Sequence, residues 1–328
     1  MENRVHFVIT GGAGFIGSNF LRFMTNKYQQ YFFTNIDSLT YSGRKENIYD
    51  LEERDNYKFI KEDICNKEAI EQIVSQDSIV VNFAAESHVD RSILDSKTFI
   101  KTNIIGTHVL LEAARKKQAR LFIQISTDEV YGSLNIDQRP SKETDLLSPS
   151  SPYSASKAAA EMLCLSYIKT FGSRIIITRS SNNFGPYQFT EKLIPLFITN
   201  LLEEKRVPVY GNGKNIRDWI YIRDNCEAID FVIHHGIIGE IYNIGGGKQL
   251  QNIELTQLLL KKMGYNNFFI EYVQDRLGHD LRYALDCSKI KSLGWEPKIE
   301  FEEALDKTIN WYRENKLWWM PLKKQVRQ

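Results

Sequence analysis

The sequence predicts an α/β protein built around a doubly wound parallel sheet. Three observations support this fold class. Short β-rich runs alternate with helix-period segments through residues 1–180. The runs are apolar at successive positions and not only at alternate ones, which indicates strands buried on both faces. A glycine-rich turn directly follows the first run. A sheet covered by helices on both sides accounts for all three observations.

The predicted strands are, in chain order, VHFVIT, YFFTNID, YKFI, SIVVNFAA, LFIQIS and RIIITRS. Helix-period segments such as residues 18–27 and 98–117 separate them. The composition shifts to turn residues near residue 180 and again at VPVYGNGKNIRDW, whereas IYNIGGG at 241–247 is typical of a strand that returns to the sheet. We therefore predict two interleaved domains: a sheet domain of residues 1–180 plus about 217–249, and a smaller α/β domain of residues 181–216 and 250–328.

Composition excludes several classes of function. The 42 basic and 41 acidic residues give a formal charge of +1, so no strong field attracts nucleic acid or an anionic membrane. No signal-like start or membrane-length apolar stretch is present. The cysteines lack ligand-like spacing, which favours buried thiols in a reducing compartment such as the cytoplasm and predicts no disulfide framework and no metal site. They are Cys65, Cys164, Cys226 and Cys287.

The turn after the first strand has the spacing of a dinucleotide site. Gly11, Gly14 and Gly17 allow the backbone to approach a pyrophosphate at a helix N-terminus. Asp37 ends the second strand, where a carboxylate can accept both ribose hydroxyls but repels a 2′-phosphate. The pattern predicts a Rossmann-type NAD site. Further strand-end residues expected to line it are Asp63, Ile64, Ala84 and Ala85.

A tyrosine and a lysine begin a later helix. Ser151 is a plausible N-cap and Pro152 occupies the first helical position. Tyr153 and Lys157 are four residues apart and so lie on one face. A nearby ammonium and a positive nicotinamide ring are expected to lower the pKa of Tyr153, which would then remove a hydroxyl proton.

These features, with a preceding strand that ends in Ser126 and Thr127, resemble the extended short-chain dehydrogenase/reductase superfamily. Within it, eight segments resemble the dTDP-glucose 4,6-dehydratases in order and spacing over nearly the whole chain. The segments are TGGAGFIGSNF, NFAAESHVDRS, ISTDEVYG, SPYSASKA, SSNNFGPYQFTEKLIP, GNGKNIRDWIYIRD, YNIGGG and DRLGHDLRYALD. The resemblance implies loss of water from a nucleotide sugar, and a homodimer formed through a four-helix bundle of helices near 98–117 and 153–170.

The resemblance also gives the acid pair a role. Tyr153 would remove the proton of the sugar 4-hydroxyl, Glu129 would be the base at C5, and Asp128 would be the acid that assists departure of the 6-hydroxyl. Thr127 would hydrogen-bond the reacting hydroxyl. Neighbouring side chains of an extended segment point apart, so the chain must curl at Thr127 for both acids to reach one sugar.

Other site residues are implied only by the resemblance. The further cofactor contacts are Phe15, Ile16, Ser87, Thr102 and Asn183. The substrate contacts are Ser87, Asn182, Lys192, Leu193, Pro208, Tyr210, Arg217, Asn252, Arg276 and His279. Arg217 and Arg276 are expected on the diphosphate, because a guanidinium fork can bridge phosphate oxygens. Leu277 stands where the family often has proline, but Arg276 and His279 stay in register.

Two other readings remain open. One is another sugar-nucleotide enzyme, such as a 4-epimerase or a UDP-sugar 4,6-dehydratase. The other is a sensor that binds NAD without chemistry. The preference for thymidine over uridine and a product that enters rhamnose-type deoxysugar and cell-surface polysaccharide synthesis depend on the resemblance. At the C-terminus, Trp318 and Trp319 are expected to pack a helix onto the second domain.

Overall fold

A computed structural model describes residues 5–326 of the chain. The strands are β1 His6–Thr10, β2 Phe32–Asp37, β3 Tyr57–Lys61, β4 Ser78–Asn82, β5 Leu121–Thr127, β6 Ile175–Ser180, β7 Asn182–Phe184, β8 Val207–Tyr210, β9 Ile216–Tyr221, β10 Ile241–Ile244, β11 Lys248–Gln251 and β12 Ile270–Val273. The helices are α1 Phe15–Lys27, α2 Lys67–Ile73, α3 Val89–Leu94, α4 Ser96–Phe99, α5 Thr107–Lys116, α6 Pro152–Phe171, α7 Leu193–Leu202, α8 Ile222–His235, α9 Asn252–Met263, α10 Ser288–Ser292, α11 Phe301–Glu314 and α12 Lys316–Val326. Within this part of the chain, none of the helices combines the length and apolar character needed to cross a bilayer.

Seven parallel strands form the central sheet, in the order β10-β6-β5-β4-β1-β2-β3. Alternate residues of β1 enter different cores: Phe7 and Ile9 pack on the side of α1 and α8, and Val8 packs on the side of α5 and α6. The predicted fold class is therefore confirmed. The winding direction changes between β1 and β4, which is where doubly wound sheets bind ligands.

The helix expected over 98–117 is interrupted. α4 and α5 are joined by a π-helical segment, Ile100–Gly106. The wider turn holds Asn103 in the interior, where its amide bonds both backbone groups of Glu86 and the hydroxyl of Ser156. This tertiary requirement is not visible in the helical spacing of the sequence.

A second lobe contains the three-stranded sheet β11-β9-β7, the pair β12-β8, and a core formed with α7, α9 and α11. β10 joins the central sheet beside β6, whereas β9 lies outside that sheet. Ile290 and Trp295, which the predicted boundaries assign to the second domain, pack in the core of the central sheet with Tyr242. The interleaved division of the chain stays a prediction.

A buried ion pair fixes α6 against the central sheet. Arg179 of β6 is 2% exposed and Glu161 of α6 is fully buried, with a closest contact of 2.6 Å. Arg179 also donates to the hydroxyl of Tyr131, at 2.7 Å. The pair therefore holds helix, strand and the turn before Gly132 together.

We expect Glu161→Ala to lower the free energy of unfolding by about 3–5 kcal/mol, because the guanidinium would remain buried without its counter-charge. Chemical denaturation measures this change. Glu303→Ala is the matched control, since it removes an exposed carboxylate paired with Lys307 and should cost at most about 1 kcal/mol. Equal effects of the two substitutions would contradict the structural role of the pair.

Candidate functional site

The glycine turn packs directly against the end of β4. Gly11 has φ +70°, and a Cβ there would lie 2.5 Å from the backbone nitrogen of Ala84. A Cβ on Gly17 would overlap the carbonyl oxygen of Gly11. Gly14 is the N-cap of α1. The turn therefore leaves the N-terminus of α1 accessible to a ligand, and side chains would close this cradle.

A cavity of about 390 Å³ opens where the winding direction changes, a size typical of small-molecule sites. All the predicted cofactor contacts and several predicted substrate contacts line it. They are Gly11, Gly14, Phe15, Ile16, Gly17, Asp37, Asp63, Ile64, Ala84, Ala85, Ser87, Thr102, Thr127, Asp128, Glu129, Tyr153, Lys157, Asn182, Asn183 and Lys192.

The carboxylate of Asp37 is oriented by backbone groups on both sides of the cavity. Its two oxygens accept from the backbone nitrogens of Ala13, at 2.9 Å, and Leu39, at 2.8 Å. Burial raises the pKa of Asp37, and these two hydrogen bonds oppose that rise. The acceptor lies at the end of β2, next to the glycine turn, as a ribose contact requires.

The acid pair lies in a tight turn. β5 ends at Thr127, and Asp128–Tyr131 form a single 3₁₀ turn. The hydroxyl of Thr127 accepts from the backbone nitrogen of Glu129 and donates to the carboxylate of Asp128, both at 3.3 Å. The curl required for both acids to line one cavity is therefore present at Thr127.

The environment of Asp128 favours its protonated form. Burial raises its pKa well above the ordinary value, and the charges of Glu129 and Asp218 raise it further, whereas Arg217 opposes them. Its second carboxyl oxygen is buried without a hydrogen-bond partner among the described residues. A proton held there would be available to a ligand in the cavity.

The charges around Glu129 differ from those around Asp128. Burial raises its pKa as well, but three cations lower it: Arg276, Lys192 and Arg217. The two neighbouring acids are therefore unequal: two carboxylates and one cation act on Asp128, whereas three cations and one carboxylate, Asp280, act on Glu129. This asymmetry suits a proton donor at Asp128 and a base at Glu129.

Tyr153 and Lys157 start α6 as predicted. Ser151 caps the helix by accepting from the backbone nitrogen of Ser154 at 3.1 Å. The Lys157 ammonium donates to the Ile125 carbonyl at 2.6 Å, and burial lowers the pKa of Lys157 to about 8.

The expected lowering of the Tyr153 pKa is not produced by the protein's own groups. Burial raises the pKa of Tyr153, and the charges of Glu129 and Asp128 add to the rise, whereas a hydrogen bond with Thr127 opposes it. The expectation relied on the ammonium of Lys157, which instead bonds to a main-chain carbonyl.

The remaining predicted substrate residues lie outside the lining of the main cavity: Leu193, Pro208, Tyr210, Arg217, Asn252, Arg276 and His279. Two of them, Arg217 and Arg276, bring positive charge near Glu129. Arg217 donates to the carbonyl of Asp280 at 3.0 Å and stacks over Tyr283. His279 contacts Asp275 at 2.6 Å, beside the ring of Tyr210. Leu193 begins α7 and Pro208 lies in β8, and their roles stay predictions.

Sequence reasoning missed one wall of the cavity. Tyr41 lies under the guanidinium of Arg91 at 3.8 Å and edge-on to Phe189. Arg91 also contacts Glu191 at 3.4 Å. The position of Glu191 next to Lys192 was the available signal. The other missed residues lining the cavity are Ile36, Ser38, Thr40, Ser42, Gly43, Glu62, Phe83, Glu86, Thr98, Lys101, Ile125, Ser126, Ser180, Ser181, Tyr187 and Gln188.

The doubly wound sheet, the glycine cradle and the Tyr-Lys pair define a dinucleotide-dependent enzyme of the short-chain dehydrogenase/reductase type. The family model described as GDP-mannose 4,6 dehydratase matches residues 8–308. The chain therefore belongs to this family.

Individual relatives agree with this assignment. The dTDP-glucose 4,6-dehydratase of Escherichia coli is 46% identical, covering 95% of this chain and 94% of the relative. The low-salt glycan biosynthesis protein Agl12 of Haloferax volcanii is 47% identical, covering 93% and 97%. The crystal structure of DesIV, a dTDP-glucose 4,6-dehydratase of Streptomyces venezuelae with NAD bound, has a TM-score of 0.94 and 43% identity, covering 97% of this chain and 99% of that chain.

Proposed function

We propose that the protein catalyses the NAD-dependent 4,6-dehydration of dTDP-glucose to dTDP-4-dehydro-6-deoxyglucose and water. The observation that carries this proposal is the unequal acid pair, Asp128 and Glu129, which lines the same cavity as Tyr153. The names of the relatives and of the solved structures support the substrate class.

The residues of the cavity fit NAD. The turn at Gly11 and the N-terminus of α1 would hold the pyrophosphate, and the oriented carboxylate of Asp37 would accept the ribose hydroxyls. The same carboxylate would repel a 2′-phosphate, which disfavours NADP. NAD held there would supply the hydride chemistry of the reaction, which is oxidation at sugar C4 and reduction at C6.

The chain's own residues move the protons. Tyr153 takes the proton of the 4-hydroxyl as a phenolate, the form that the positive nicotinamide ring of bound NAD would favour against the effect of burial. The resulting ketone makes the hydrogen on C5 acidic. Glu129 removes that hydrogen as a proton, and Asp128 gives its proton to the departing 6-hydroxyl, which leaves as water. Glu129 later returns a proton to C5. The proton gained at Tyr153 balances the one lost from Asp128. Exchange with solvent, which removes the proton from the phenol and returns one to Asp128, then restores the site.

The experiment that tests this function uses purified protein with dTDP-glucose. We expect a product that absorbs as a 4-keto sugar in alkali, with no net accumulation of NADH. A parallel panel of UDP-glucose and UDP-N-acetylglucosamine tests the nucleotide. Recovery of unreacted sugar or of an epimerised hexose would reject the dehydratase assignment. A 4-epimerase has no departing hydroxyl to protonate. The environment of Asp128, which favours the protonated carboxyl, therefore supports dehydration over epimerisation.

We also propose a cytoplasmic location and a role in deoxysugar nucleotide synthesis of the rhamnose type, supplying cell-surface polysaccharide. The four cysteines are all free in the structure, which suits a reducing compartment. The chemistry of the product supports the pathway class, because 4-keto-6-deoxy sugars are intermediates toward deoxysugars. Loss of 6-deoxysugars from the cell surface after gene deletion would test the role.

A homodimer through a four-helix bundle is proposed as well. Large apolar side chains are exposed along α3 to α6, where they would be covered by a second copy: Leu94, Ile100, Ile105, Met162 and Phe171. We expect light scattering after size exclusion to give a dimer mass, and Met162→Lys to shift it toward monomer. Leu146→Lys alters an exposed loop leucine and should leave the dimer intact.

A further inference from the structure

The indole of Trp318 does more than pack α12 onto the second lobe. Its Nε1 donates to the side-chain oxygen of Asn47, at 2.9 Å, on a short 3₁₀ turn beside the central sheet. The adjacent Trp319 stays within the second lobe, where it is buried and donates to the carbonyl of Tyr312 at 2.7 Å. Neighbouring tryptophans therefore tie the same helix to different parts of the molecule.

The side chain of Asn47 links Trp318 to the glycine turn. It is 1% exposed, and its amide nitrogen donates to the carbonyl of Ala13 at 2.7 Å. Ala13 lies inside the turn, and its own nitrogen donates to Asp37. An indole N–H can only donate and a carbonyl can only accept, so Trp318 fixes which end of the Asn47 amide faces Ala13.

The same aromatic cluster supports a wall of the cavity. Tyr187 lines the cavity with φ +66°, a conformation that is unfavourable for a bulky residue without support. Its ring is held between the guanidinium of Arg22, at 3.9 Å, and the ring of Trp311, at 4.7 Å. Trp318 meets Tyr187 edge-on. The C-terminal helices thus contact the cavity wall at Tyr187 directly and are linked to the glycine turn through Asn47.

We propose that Trp318 is a positioning residue that retains NAD by holding Ala13 through Asn47. The inference rests on the proposed function, in which the hydride removed from C4 must return to C6 of the same sugar. If the cofactor dissociated between those steps, the hydride would be lost and the intermediate could not be reduced at C6. The bond from Trp318 to Asn47 would slow opening of the glycine turn and so keep NAD bound between the two hydride transfers, without contacting the substrate.

The test measures NAD dissociation from the full-length protein, by displacement in the absence of any sugar. Trp318→Phe keeps an aromatic ring but removes the indole donor, so NAD should leave about tenfold faster, the factor that one hydrogen bond contributes. Trp319→Phe is the matched control, because it removes a more deeply buried indole donor from the same helix. Its bond to Tyr312 lies outside the route to Ala13. The dissociation rate should therefore stay within about twofold of wild type, a change no larger than the weakest hydrogen bonds contribute.

A double substitution tests the route through Asn47. Asn47→Ala should speed dissociation, and adding Trp318→Phe should speed it no further, because contacts that act in one chain are not additive. Equal rates for the two tryptophan variants, or additive effects of Asn47 and Trp318, would overturn the inference. Neither result would bear on the sugar substrate. Wild-type protein that binds no NAD would overturn the proposed function as well.

Discussion

Tyr153→Phe is expected to lower kcat by about 10²- to 10⁴-fold, the contribution typical of a positioned proton acceptor. The phenol lines the cavity, and the structure shows no second side chain that replaces it at the start of α6 within the described residues. Because the proton of the sugar 4-hydroxyl must leave as hydride leaves C4, the substitution should slow the first step. Single-turnover measurement of NADH absorbance with dTDP-glucose would show reduction of the bound cofactor slowed by the same factor.

A matched tyrosine separates chemistry from folding. Tyr167 lies in the same helix and donates its hydroxyl to Glu112 at 2.6 Å, away from the cavity. Tyr167→Phe should retain nearly full kcat. NAD binding should survive in Tyr153→Phe, since the glycine turn and Asp37 are untouched. A Tyr153→Phe enzyme that still reduced its cofactor at the wild-type rate would remove this residue from the mechanism.

The features that were predictable from the sequence are local. Gly11 with Gly17, and Tyr153 with Lys157, are motifs whose geometry is set by a few neighbouring residues, and the structure places all four at one cavity. The continuous apolar strands fixed the fold class because burial on both faces leaves a clear pattern.

What was missed depends on long-range contacts. The bond from Trp318 to Asn47 joins residues 271 positions apart, and no spacing rule connects them. The π-helical segment is required by the tertiary partners of Asn103. The expected effect of Lys157 on the pKa of Tyr153 is absent because the ammonium donates to a carbonyl of another element. Contacts between residues that are distant in sequence form only when the tertiary structure packs, so local spacing does not predict them.

Substitutions of the acid pair are expected to stop the reaction after the first hydride transfer. Glu129→Gln and Asp128→Asn should each lower kcat by about 10²- to 10⁴-fold, while NADH forms on the enzyme at a rate close to that of wild type. Bound NADH would then persist, because no acceptor carbon is produced at C6. Glu143→Gln provides a control, since this carboxylate bonds the backbone of Asn243 outside the lining of the cavity.

Solvent deuterium can assign the two acids separately. If Glu129 is the base at C5, Asp128→Asn should still exchange the C5 hydrogen of bound sugar for deuterium while losing no water. Glu129→Gln should do neither. The buried, carboxylate-facing position of Asp128 raises its pKa, so wild-type elimination should decline only as the pH rises through that raised value and the acid loses its proton. Exchange that survived in Glu129→Gln but vanished in Asp128→Asn would reverse the two roles, because only the base can take the C5 proton.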